Sequence, residues 1–154
     1  MSSSFLPRLT VIAVLMAGAM SLCPMTAAAQ TRTPAKSLPM TLRITIADTV
    51  LTARLEPGPA ARDFAALLPL TLELSDYNQT EKIAQLPRKL ATRGEPEGYT
   101  PRSGDIAFYA PWGNIALFYK DFAYSKGLVK LGHITGDIAV LRQPGPYLAL
   151  IEQE

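Results

Sequence analysis

The sequence predicts a mostly-β chain, a closed β-barrel of about eight strands with one or two short helices. Three observations lead there. Apolar and polar residues alternate over several short runs, the mark of half-buried strands. Gly, Pro, Asn and Asp separate those runs at close intervals, as they do in sandwiches and barrels. One longer stretch alone carries helical spacing. Closure also suits a chain whose single cysteine, Cys23, lies near its start. Downstream of that residue no disulfide can brace an exposed strand edge, and closing the sheet removes the edges altogether.

The elements follow in order. Leu42, Ile44 and Ile46 alternate with Thr41, Arg43 and Thr45. Asp48-Thr49 makes a turn, after which Leu51, Ala53 and Leu55 alternate with Thr52, Arg54 and Glu56 to complete a hairpin. Gly58-Pro59 breaks the pattern. Pro59 suits the first turn of a helix, where its missing N–H would have no partner anyway. Ala60 to Leu68 then sets Phe64, Leu67 and Leu68 on one face, and Pro69 ends it. Leu70, Leu72 and Leu74 mark a third strand, Asp76 to Thr80 a loop, and Lys82 to Leu86 a short strand. Arg88 to Ser103 holds prolines at 96 and 101 and glycines at 94 and 98, which predicts a long surface loop. Loops of that length in a compact domain often serve function. Asp105 to Ala110 and Ile115 to Tyr119 form the central hairpin. Leu128 to Leu131 and Tyr147 to Ile151 are later strands, with a single helical turn over Asp137 to Leu141.

The first 29 residues read as a signal peptide. Arg8 supplies the positive start, Leu9 to Met20 a short apolar stretch, and Ala27-Ala28-Ala29 the small residues before a cleavage point. The apolar stretch falls short of the ~20 residues that span a bilayer as a helix. Leu22 before Cys23 disfavours lipidation. The expected product begins near Gln30 and is periplasmic or secreted, without stable membrane insertion. Residues 30–39 read as a flexible linker and 40–152 as one barrel domain. A nearly balanced charge, formally +2 for the whole chain, and the absence of a basic run argue against nucleic acid as a partner.

Several motifs resemble a known family. Ala61-Arg62-Asp63-Phe64-Ala65-Ala66-Leu67-Leu68-Pro69-Leu70-Thr71-Leu72 looks like a signature of small bacterial cyclophilin-like proteins. So do Asp76-Tyr77-Asn78 with Glu81-Lys82, Leu86-Pro87, Gly104-Asp105-Ile106 and Pro111-Trp112-Gly113-Asn114. The resemblance runs from about Met40 to Ile151. It implies a closed, cyclophilin-like β-barrel of about eight strands with one or two helices, and no assigned biochemical role. It does not extend to isomerase chemistry. The Phe-His-Arg-Val run and the Phe-x-x-Gln-Gly stretch of true cyclophilins are both missing, and the single His133 sits in Gly132-His133-Ile134. A shared fold does not carry a shared function.

The central turn holds the only Trp of the chain. An indole on a tight turn must pack or bind something, because Trp and Tyr join an apolar body to a polar tip. Trp112, Tyr109, Tyr119 and Tyr124 are therefore candidates for lining a ligand pocket, or else for plugging the barrel. Asn114 is a turn residue that can also contact a ligand. Asn78, Glu81 and Lys82 are expected near the rim with Tyr99; as an exposed charge pair, Glu81 and Lys82 would add little stability. Arg88 after Pro87 could hold a carboxylate. His133 has no visible Ser or Asp partner for a triad. One His and no later Cys leave little for a transition metal, no glycine-rich phosphate loop occurs, and no cofactor is implied. The expectation is a non-enzymatic module that binds a small molecule or an extended peptide. A weak or divergent peptidyl-prolyl isomerase and an accessory protein-interaction module are the alternatives.

Overall fold

A computed structural model describes residues 40–154. The expected signal peptide and linker, residues 1–39, lie outside the described residues. Ten strands, one α-helix and one 3-10 turn make up the remainder. They are β1 (Thr41–Ile46), β2 (Thr49–Leu55), α1 (Pro59–Ala65), β3 (Leu70–Tyr77), β4 (Glu81–Gln85) and β5 (Gly98–Tyr99). There follow β6 (Asp105–Tyr109), β7 (Asn114–Phe118), β8 (Ser125–Lys126), β9 (Leu128–Thr135), the 3-10 turn (Ala139–Arg142) and β10 (Tyr147–Gln153).

Eight of the strands close into an antiparallel barrel in the order β1-β10-β3-β4-β7-β6-β9-β2. The alternation read from the sequence becomes the two faces of this wall. Leu42, Ile44, Ile46, Leu51, Ala53, Leu55, Leu72 and Leu74 point inward and are buried. Ile106, Phe108, Ile115, Leu117 and Leu131 join them in one core. The helix adds Phe64, fully buried, and ends at Ala65 rather than Leu68; Leu67 and Leu68 still pack against the core. Its first turn is capped from the long loop, where the Glu95 carboxylate accepts a hydrogen bond from the Ala60 N–H at 3.0 Å.

The wall built from β4, β7, β6 and β9 is buried on its outer side as well. Ala107, Ala116, Phe118 and Leu128 form a second cluster there, with Ile83, Tyr99 and Tyr109 packed against it. A two-stranded sheet of β5 and β8 contributes Tyr99 to this cluster and Ser125 beside it. The continuous apolar runs Ile106-Ala107-Phe108 and Ile115-Ala116-Leu117-Phe118 follow from this arrangement, since a strand covered on both faces does not alternate. The loop expected over Arg88 to Ser103 thus contains strand β5 and a buried Leu90. It runs across the surface as expected, with most of its residues exposed, and covers the outer wall through Tyr99.

Candidate functional site

The turn between β6 and β7 depends on two glycines, Gly113 within it and Gly127, between β8 and β9, packed against it. Gly113 adopts φ +76°, in the left-handed region that favours glycine. This lets its N–H donate to the Tyr109 carbonyl at 2.8 Å. Gly127 adopts φ +84°, and a Cβ there would stand 2.8 Å from Pro111 Cδ. Its carbonyl accepts from the Ala110 N–H at 2.9 Å. Gln85 clamps the tip by donating from Nε2 to the Trp112 carbonyl at 2.9 Å. With its backbone held, Trp112 projects an indole that remains 52% exposed.

The indole meets two tyrosines edge to face. Its centroid lies 5.4 Å from that of Tyr77 with the planes at 89°, and 5.4 Å from that of Tyr109 with the planes at 81°. Beside these rings the outer face of the barrel forms a recess of about 280 Å3. Ile83, Ala116, Phe118 and Leu128 give it an apolar lining; Phe122 and Ser125 line it from the segment after β7, and Asn78 from the β3–β4 loop.

Two buried polar side chains complete it. Glu81 is 8% exposed, and burial pushes its carboxyl above the ordinary value, opposed in part by a hydrogen bond from the Thr80 hydroxyl. Among the described residues no Lys, Arg or His nitrogen lies within 4.0 Å of that carboxylate. Asn114 is 4% exposed and donates from Nδ2 to the Ile115 carbonyl at 3.2 Å, while its Oδ1 is buried without a partner. Unpaired buried acceptors are uncommon and call for an explanation.

Five of the ten candidate residues therefore meet in one place: Trp112, Tyr109, Asn114, Asn78 and Glu81. The other five do not line the recess. Lys82 is fully buried and faces inward beside Ala84 and Leu86. Its Nζ pairs with Asp76 Oδ2 at 2.5 Å, donates to the Gln143 carbonyl at 2.6 Å and stands 4.8 Å from the Tyr147 ring centroid. Tyr119 is also buried and inward, its hydroxyl donating to Asp76 Oδ1 at 2.9 Å. Glu81 and Lys82 are thus not an exposed charge pair: both are buried, on opposite faces of one strand. Tyr99 packs in the outer cluster with its hydroxyl buried and unpartnered, and that burial raises its pKa. Arg88 grips Asp63 through two hydrogen bonds of 2.6 and 2.8 Å, holding the Asp63 carboxyl down at about 2. Tyr124 is exposed outside the recess. His133 does have a carboxylate neighbour, Asp105 Oδ1 at 3.0 Å from Nδ1, and that oxygen also pairs with Lys130 at 3.1 Å. This cluster lies outside the recess.

Tyr77, Ile83, Ala116, Phe118, Phe122, Ser125 and Leu128 were not candidates. Ile83 shares the odd-numbered face of β4 with Glu81, so strand periodicity pointed to it. Nothing local marked Phe122 or Ser125.

A barrel with a recess on its outer wall defines a class of protein, and the comparisons narrow it. The family model described as the cyclophilin-like family matches residues 44–151. The chain belongs to that family. No curated protein matches it significantly. Among solved structures it is similar to the hypothetical protein AF2241 from Archaeoglobus fulgidus, solved in solution. That match has a TM-score of 0.61 at 15% identity and covers 79% of this chain and 99% of the archaeal one. At that identity the likeness supports the fold alone.

Proposed function

We propose that this protein is an exported barrel that binds a small ligand in the recess beside Trp112. One observation carries the reading: exposed aromatic surface, a buried unpartnered amide oxygen and a buried carboxylate without a cationic partner occur together. Three of the large hydrophobic side chains left exposed, Tyr77, Trp112 and Phe122, line this one recess. Asn114 Oδ1 and the Glu81 carboxylate sit in the same wall. Apolar surroundings with a few placed polar groups are what ligand pockets offer.

The volume, just under the ~300 Å3 at the lower end of typical pockets, suits a small metabolite or one side chain of a peptide. An extended peptide would have to pair elsewhere, since each of the eight barrel strands already has two neighbours. Isomerase chemistry has less support. The recess lining contains no Lys, Arg or His that could stand beside a prolyl nitrogen. Export rests on the sequence of residues 1–29 alone.

Trp112 is a built-in reporter, because no second Trp competes with it. A fragment and metabolite screen read by its fluorescence, with amide chemical shifts in parallel, tests the reading. The expected result is saturable change at Trp112, Tyr77 and Asn114 with at least one compound class, abolished by Trp112→Ala. If bound compounds shift other surfaces and leave these three residues unmoved, the recess is not the binding site.

A further inference from the structure

We infer, building on the reading of the recess as a binding site, that its ligand is a small organic cation such as an alkylammonium or guanidinium compound. The argument starts from the hydrogen-bonding inventory. The buried polar side chains of the wall are Glu81 and Asn114: Asn114 Oδ1 is buried without a partner, and the Glu81 carboxylate accepts from the Thr80 hydroxyl but has no cationic partner among the described residues. A ligand that satisfies them must bring donors or positive charge. The carboxylate is the stronger claim. A buried anion without a counter-charge is costly, and such groups are ordinarily paired. Lys82, its neighbour in the chain, cannot serve, because it lies on the inward face and is held by Asp76 and Gln143.

The aromatic lining supports the same sign of charge. Tyr77 and Tyr109 stand nearly perpendicular to the Trp112 indole instead of stacking on it. Rings set at right angles form the kind of wall that surrounds alkylammonium groups, which are drawn to the negative faces of aromatic rings. A neutral apolar ligand would leave Glu81 unpaired, and an anion would be repelled by it. A metal ion is disfavoured as well. Glu81 is the only carboxylate lining the recess, no Cys or His accompanies it, and hard cations need six or more oxygens. Among the described residues no group of three or more His, Cys, Asp or Glu is placed to hold one.

The test compares two probes of the same shape and different charge, choline and its uncharged analogue 3,3-dimethylbutan-1-ol. Each is titrated into the protein and followed by Trp112 fluorescence and amide shifts. Choline is expected to bind saturably at the recess, about tenfold or more tighter than the neutral analogue. Glu81→Gln keeps shape and removes charge; it is expected to weaken choline by a similar factor and to leave the analogue unchanged. Equal binding of the two probes, or full choline affinity in folded Glu81→Gln, overturns the cation preference while the binding recess stands. If neither probe moves Trp112, the cation inference falls. The fragment screen then decides the broader reading separately: hits confined to neutral or anionic compounds preserve it, and no hits at the recess end it too. The probe comparison needs no variant, so it stands even if Glu81→Gln does not fold.

Discussion

Glu81 and Lys82 are adjacent in the chain and opposite in circumstance. Both are charged and both are buried. Lys82 faces the barrel interior, where Asp76, the Gln143 carbonyl and two tyrosine rings surround its ammonium. Asp76 in turn accepts from Tyr119 and from the Gly145 N–H. Those bonds tie β3, β4, the residue that follows β7 and the segment leading into β10 together. Glu81 faces outward into the recess and has only the Thr80 hydroxyl. The satisfied charge helps hold the fold together. The unsatisfied one lowers stability, which is a common character of a binding site. The contrast makes a rule that can be broken: changes on the inward side should damage stability, and changes on the outward side should damage binding.

The largest effect is expected at Asp76. Asp76→Ala would leave Lys82 as a buried, uncompensated charge, at a cost of about 3 kcal/mol. Denaturant unfolding measures it. Replacing Lys82 by Met in the same chain should recover most of the loss, because the charge that needed a partner is gone. A single-variant cost within about 0.5 kcal/mol, typical of an ordinary surface change, would remove Lys82 from the forces that hold the barrel.

Next comes the turn that presents the indole. Gly113→Ala imposes a side chain at φ +76°, with its Cβ 3.2 Å from Lys89 Cγ and 3.3 Å from Gln85 Nε2. Left-handed backbone costs a residue with a side chain about 1–2 kcal/mol. The expected outcome is a loss of that size together with weaker probe binding, since Trp112 precedes the strained residue. Binding that survives unchanged would mean the turn need not hold the indole for the recess to work.

How much of this was legible beforehand follows the same division. The strands were written in the alternation of Leu42-Ile44-Ile46 and Leu70-Leu72-Leu74, and the inward core came with them. The sites at Trp112 and Asn114 were marked by composition, as an indole and an amide read on a tight turn, although Asn114 in fact opens strand β7. Glu81 was expected just before a strand over Lys82 to Leu86 and paired with Lys82 at an exposed rim; inside β4 the two face opposite ways, and neither this nor the burial of both was read from the sequence. That burial depends on the outer cover from β5 and from the segment between β7 and β9, which is brought in by contacts far apart in sequence. The same holds for Arg88, whose partner Asp63 lies 25 residues away. The unbroken apolar runs of β6 and β7 were the one local sign that the outer wall is covered. Tyr99 and Phe122 carried no such sign, because a two-residue strand and a rim aromatic look like any loop.

A smaller effect tests the outward side directly. Asn114→Ala gives up one bond to the Ile115 carbonyl and at the same time removes a buried orphan acceptor. Those terms oppose each other at ~1 kcal/mol each, so stability should change by less than about 1 kcal/mol while probe binding is lost. A large loss of stability would instead make Asn114 a structural residue of the hairpin.

The smallest effect is the most diagnostic, because its sign differs between regions. Arg88 holds Asp63 down at about 2, from an ordinary 3.8. Its contribution is therefore complete above 3.8 and is lost as pH falls through 2. Asp76, lowered chiefly by Lys82, behaves the same way. Glu81 runs in reverse. Its folded carboxyl is raised from 4.5 by burial, so the folded protein keeps a proton that the unfolded chain has released. Stability then declines as pH rises from 4.5 through the raised value and levels off beyond it. Tyr119 is pushed up to about 12, chiefly by burial and then by its bond to Asp76, and stays neutral throughout that window. Comparing the protein with Glu81→Gln across pH 4 to 7 isolates the one group that differs. The two should match at the acid end, and the variant should become slightly more stable toward neutrality. Saturating choline should erase that difference in the parent by supplying the missing charge. If the parent instead gains on the variant as pH rises, Glu81 already has a stabilising partner in the ligand-free protein, and the outward side is no less satisfied than the inward one.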